Sequence, residues 1–177
     1  MQSPKKESLL NGLSTGTTLV EMCLVLCLIG SSLYLFSFSF TVSVRHRVWA
    51  ELDRLYTVIR YLQRKALLDG TTYSVTFDGK LGSYRADTIW HLDKSVRIGI
   101  PPGILGPPSK PKEQISHGCS WPKNTLEIYP MGSLSAGAVY LSDIKGRYIV
   151  ALTVDASEIT GIRRYYYDKT WHPIEPY

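Results

Sequence analysis

Residues 22–44 carry no formal charge, and Glu21 stands immediately before them. As a helix rising about 1.5 Å per residue, about 23 residues cover the roughly 30 Å hydrocarbon core of a bilayer. The run therefore predicts a membrane span. The chain as a whole is 44% hydrophobic with a mean hydropathy of -0.05, so its apolar character is concentrated at one end. Glu21 is the costly residue, because a carboxylate inside a bilayer costs roughly 2.5 to 3.5 kcal/mol even on lenient scales and is a functional candidate by default. Lys5 and Lys6 upstream predict a cytoplasmic N-terminus, although Arg45 and Arg47 on the far side pull against that orientation. A secretory signal peptide has a shorter apolar region followed by small residues; here the run is longer, and Gly16 and Thr17 precede it.

The helical pattern continues past the span. Val48, Leu52, Leu55, Ile59, Leu62 and Ala66 recur at alternating intervals of four and three, which predicts an amphipathic helix with one buried stripe. Gly70 supplies a stop. A helix over residues 17–68 would be roughly 78 Å long. Residues 36–44 alternate polar and apolar with period two, a strand pattern in isolation, but an unpaired strand in a bilayer strands its backbone groups, so helix is expected.

Beyond Gly70 the chain reads as β-rich. Residues 72–77 and 80–85, joined by Asp78-Gly79, predict a hairpin with a tight type I′ turn. Further strands are expected at 88–92, 96–100, 125–129, 138–141, 148–154 and 159–166. Between them, residues 101–111 are so dense in Pro and Gly that a long surface loop is expected. The fold class expected is α+β: a long N-terminal helix, transmembrane and then amphipathic, packed on a small antiparallel β-sheet or β-sandwich domain.

Chemistry-bearing residues are sparse. Cys23 and Cys27 share a helical face but cannot reach each other as a disulfide there, and Cys119 is expected to be buried and inert. His46, His91, His117 and His172 show no metal-ligand spacing, and His117-Gly118-Cys119 lacks a third catalytic partner. Asp143, Asp155, Glu158 and Asp168 are too dispersed for a calcium loop. No phosphate loop or nucleophile elbow is present, so neither enzymatic activity, nor a cofactor, nor a metal is expected. The net charge of +5 permits an anionic partner without requiring one.

The stretch Gly16-Thr17-Thr18-Leu19-Val20-Glu21, at the head of the apolar run, resembles the prepilin processing site of type IV pilins and type II secretion pseudopilins. The later phrases Tyr129-Pro130-Met131-Gly132-Ser133, Gly137-Ala138-Val139-Tyr140-Leu141, the strand 147–154 and Gly161-Ile162-Arg163 resemble the GspH/FimT group of minor pseudopilins and minor pilins. The resemblance implies cleavage after Gly16 by a prepilin peptidase and N-methylation of Thr17, although Thr replaces the usual Phe. It also implies an assembly role for Glu21 against a neighbouring subunit's N-terminus. The new Thr17 amine, with an ordinary pKa of roughly 8, would be largely cationic one helical turn from Glu21.

The domains implied are a leader at 1–16, a transmembrane helix at 17–44, its amphipathic continuation at 45–70 and a pilin-like extracytoplasmic β-rich domain at 71–177. The function implied is that of a minor pseudopilin of a type II secretion pseudopilus in the inner membrane, with its domain in the periplasm. Its partners would be the peptidase, other pseudopilins or pilins, and inner-membrane lipid. Two alternatives stand beside it: a minor type IV pilin in pilus biogenesis or DNA uptake, and a membrane-anchored binding protein that does not assemble. DNA-uptake members carry a Gly-Arg-x-Arg element, here Gly161, Ile162, Arg163 and Arg164, with Ile in place of the first Arg. Arg163 and Arg164 beside Tyr165 to Tyr167 are the candidate DNA contacts, but solvated arginines on a strand with buried tyrosines are the favoured reading.

Overall fold

The computed structural model describes residues 14–106, 113–155 and 161–174; for residues 14–18 and 35–43 it describes the backbone alone. Most of the expected leader therefore lies outside the described residues. The chain divides into two units, Met1–Val42 and Ser43–Tyr177. Helix α1 (Ser14–Asp69) supplies the described backbone of the first unit and opens the second. It includes residues 36–44, where helix prevails over the period-two pattern. In the first unit the side chains from Leu19 to Tyr34 are exposed, among them Leu19, Met22, Leu26 and Leu33. Ser31 and Ser32 turn their hydroxyls back onto the Leu28 carbonyl at 2.9 and 2.7 Å, which keeps two polar groups satisfied within the helix. Among the described residues no helix is long and apolar enough to cross a membrane. The expected span passes through residues 35–43, whose side chains lie outside the description.

The second unit is α+β with two antiparallel sheets. One has the order β3-β2-β1-β5 and is built from β1 (Tyr73–Asp78), β2 (Ser83–Arg85), β3 (Ile89–His91) and β5 (Thr125–Ile128). The other has the order β4-β6-β7-β8-β9, with β4 (Val96–Ile98), β6 (Gly137–Asp143), β7 (Ile149–Val154), β8 (Ile162–Asp168) and β9 (Thr170–Pro173). A 3-10 turn, Pro122–Asn124, precedes β5.

All six residues of the predicted stripe, Val48, Leu52, Leu55, Ile59, Leu62 and Ala66, are at most 1% exposed. They share one core with Val75, Phe77 and Tyr84 of the first sheet and with Val139, Leu141, Val150 and Leu152 of the second. An amphipathic helix has to bury its stripe against another element, and here the sheets supply it. α1 then stops at the predicted place: Gly70 adopts φ +62°, and its N–H donates to the Ala66 carbonyl at 3.0 Å. β6 and β7 are covered on both faces, which is why 149–152 is a continuous apolar run. Their outer face carries a second cluster of Ala138, Tyr140, Ala151 and Tyr165, capped by Ile100, Ile115 and Trp171.

Three expectations are corrected. Asp78-Gly79 is not a two-residue turn: Asp78 pairs with Ser83, and its carboxylate accepts the N–H groups of Lys80 and Leu81 at 2.9 and 3.0 Å. The left-handed position falls on Gly82 (φ +57°), so Lys80 and Leu81 belong to the loop and not to a strand. The region 101–111 is also more ordered at its start than expected. Leu105 bridges Gln114, the Leu105 carbonyl accepts the Trp171 indole N–H at 3.0 Å, and Ile104 is buried, while residues 107–111 lie outside the description. Finally, β9 was not foreseen, and β8 extends to Asp168; residues 159–160 of the expected strand lie outside the description.

Candidate functional site

Gly16 and Thr17 lie within the described backbone of α1, and Glu21 follows one turn later, exposed. Around Glu21 the helix is apolar on every side: Leu19, Val20, Met22, Leu24 and Val25 are all exposed. Such a surface stays in water only at a cost, since each buried aliphatic side chain is worth roughly 1.5 to 3 kcal/mol. The segment is thus chemically suited to a lipid or protein environment in which a single carboxylate would seek a cation.

The two candidate arginines part company. Along β8, Ile162, Arg164 and Tyr166 face α1, whereas Arg163 and Tyr165 face the outer side, as the pleat requires of adjacent residues. Arg164 pairs with Asp53 of α1 and lies over the Tyr56 ring at 4.7 Å, with only 11% of its side chain exposed. Tyr166 packs against Trp49 at 5.8 Å. Arg164 is therefore part of the contact between helix and sheet. Arg163 is exposed and lines an open groove of about 950 Å³ together with Ile115, His117, Cys119, Thr153 and Tyr165. The pair does not form one basic surface.

The same groove brings His117 near Cys119, but the chemistry of a nucleophile is not assembled. Burial pushes the Cys119 thiol up, whereas an activated cysteine needs a lowered value. His117 Nδ1 instead meets the hydroxyl of Ser116 at 2.7 Å. Burial also pushes Tyr140, beneath the groove, up to about 12. Among the described residues, no group of three His, Cys, Asp or Glu side chains converges to hold a metal.

The sequence offers Asp143 only as a dispersed calcium-ligand candidate, whereas in the structure it is a buried turn carboxylate. It is 2% exposed, and its Oδ1 accepts the backbone N–H groups of Arg147 and Tyr148 at 2.5 and 2.8 Å. Burial pushes its carboxyl up, but those two donors and the Arg147 side chain outweigh burial and hold it below the usual carboxylate range. The local signal was Asp143-Ile144-Lys145-Gly146-Arg147, a turn with Asp at its head and Gly146 at φ +68°. Glu51, on α1, is a second buried carboxylate: its Oε1 accepts the Asp93 N–H at 3.2 Å, while Oε2 lies 3.7 Å from Arg54. No protein-family model, curated protein or solved structure matches this chain.

Proposed function

We propose that this chain is a minor pseudopilin, a structural subunit of a type II secretion pseudopilus. It would be processed after Gly16 by a prepilin peptidase and held in the inner membrane through residues 17–44. The observation that carries the reading is the pattern of α1: a Gly-Thr junction and one carboxylate head an exposed apolar segment, and the same helix then buries a regular stripe in an α+β domain. The apolar segment supports membrane residence before assembly and subunit packing afterwards. Glu21 would pair with a neighbouring subunit's Thr17 amine, where low dielectric makes removal of one partner expensive.

Mass spectrometry of the mature N-terminus tests the processing step. A chain starting at Thr17 is expected, and an intact Met1 would favour the anchored binding protein that does not assemble. Glu21→Ala should leave the cut intact and impair incorporation into the fibre. Normal incorporation would reduce Glu21 to an incidental charge.

The minor type IV pilin with a DNA-uptake role draws support only from Arg163, exposed on the outer face of β8. The engagement of Arg164 by Asp53 and Tyr56 weighs against it. Salt-sensitive DNA binding that is lost in Arg163→Ala would favour this alternative.

A further inference from the structure

We propose that one end of the domain is a docking face for anionic lipid headgroups. It is built from Arg45, Arg47, Lys94, Lys145, Arg147 and Lys169. The inference rests on the reading of residues 17–44 as a membrane anchor and assigns the domain a specific resting surface on the bilayer.

Packing, strand pairing and backbone hydrogen bonds bring these residues to the same end. Trp49 packs on Tyr166 and Asp53 pairs with Arg164, so α1 runs antiparallel to β8 and its residues 45–47 lie toward Asp168 and Lys169. Lys169 sits at the β8–β9 turn, where Asp168 pairs with Thr170. Tyr167 pairs with Ile149, which places the β6–β7 turn beside it. The Ile144 N–H in that turn donates to the Ser95 carbonyl at 3.1 Å, tying it to the turn that carries Lys94. Arg47 reaches Asp93 in that same turn at 3.6 Å. Three loops and the first turn of α1 in this unit thus form a continuous basic end.

The acids there are largely turned away from solvent. Asp143 and Glu51 are buried and accept backbone N–H groups, and Asp93 is engaged by the N–H and hydroxyl of Ser95 at 2.8 and 2.5 Å as well as by Arg47. Asp168 is exposed, and the Asp93 side chain is 36% exposed but is paired with Arg47 and Ser95. The cations remain accessible even where paired: the side chains of Arg47 and Arg147 are 51% and 49% exposed. Ile144, 60% exposed, projects from among them. An apolar residue set among cations suits the lipid interface, where the stem enters and the charges meet phosphates. Single-stranded nucleic acid is less well served, because the nearby Trp49 ring is already occupied by Tyr166 and by Arg45 at 5.7 Å.

The test uses the full chain in vesicles of phosphatidylcholine alone or mixed with phosphatidylglycerol, with lysine acetylation read site by site. Each basic residue at an anionic surface is worth roughly a fivefold gain in partition. Lys94, Lys145 and Lys169 should therefore be labelled roughly fivefold more slowly in the mixed vesicles. Lys123, in the 3-10 turn before β5 and not among the six residues of this face, should not change. The double substitution Lys94→Glu with Lys145→Glu, at two exposed positions, should restore the labelling of Lys169. Equal labelling in both lipids, or protection of Lys123 to the same degree, overturns the docking face. Flotation with phosphatidylcholine vesicles reports the anchor separately. A chain that floats only with the mixed vesicles would sink the span while upholding the basic face, and one that floats with neither would sink both.

Discussion

Two stretches of the same helix, 19–34 and 48–66, are both rich in aliphatic residues and meet opposite fates. In the first, the apolar residues encircle the helix and stay exposed. In the second, Val48, Leu52, Leu55, Ile59, Leu62 and Ala66 form one stripe that is almost wholly buried, while Ala50, Asp53, Arg54, Tyr61 and Arg64 are exposed on other faces. Apolar content alone does not decide burial within a chain. What decides it is whether the apolar residues share one side, because a folded domain offers a helix one face of contact and a lipid or fibre surrounds it.

The sharpest way to break this comparison is to truncate one leucine in each stretch. Leu55→Ala should lower domain stability by about 2 to 5 kcal/mol, since the site is closely packed by both sheets. Leu26→Ala should change it by no more than about 0.5 kcal/mol. Denaturant titration followed by tryptophan fluorescence reads both, because Trp49, Trp90, Trp121 and Trp171 all lie in the second unit. An equal cost at Leu26 would mean that the first stretch is part of the domain core.

The wall facing the stripe can be tested at Gly137. A methyl group there would sit 2.6 Å from the Trp121 indole nitrogen, which donates to the Ser135 carbonyl at 2.9 Å. Gly137→Ala should cost about 1 to 3 kcal/mol by overpacking. Unchanged stability would show that Trp121 yields freely.

Asp143 adds a dependence on pH to the buried unit. Its folded-state value is depressed, so the stability it contributes is present above the unfolded pKa of roughly 3.9 and is lost as pH falls through the folded value. Asp143→Asn should cost about 1 to 2 kcal/mol at neutral pH, and its deficit should shrink on acidification. A deficit constant from neutral pH to pH values below the folded pKa would remove the carboxylate from the account.

The smallest effect is expected where the stripe's helix meets β8. A double-mutant cycle with Arg164→Ala and Asp53→Ala should give a coupling of about 0.5 to 1 kcal/mol, limited by the solvent around Asp53. Arg163→Ala should stay within about 0.5 kcal/mol. A coupling near zero would leave Arg164 held chiefly by its contact with Tyr56.

The stripe was legible because its period belongs to the local backbone and needs no partner to be read. Gly70 was legible for the same reason, as an achiral residue placed just after the last apolar position. The turn after β1 was misread because Asp78-Gly79 suits a type I′ turn, yet the Asp78 carboxylate also captures the two following N–H groups and moves the left-handed residue to Gly82. β9 was hidden by Pro173 and by its polar residues, which suit an edge strand but give no periodic signal. At the candidate sites, the pleat already announced that Arg163 and Arg164 would diverge. That Arg164 ends on Asp53, on a helix far away in sequence, had no local trace.

By itself the sequence determined the helix, the side on which its second stretch is apolar, the place where it stops and most of the strands. These follow from short-range periodicity and from the backbone preferences of individual residues. Only the tertiary structure decided that two sheets share the stripe and that one arginine of the pair is spent inside the domain. It likewise decided that basic residues from α1, the β3–β4 turn, the β6–β7 turn and the β8–β9 turn gather at one end. Those outcomes depend on which distant segments pack together, which no local pattern encodes.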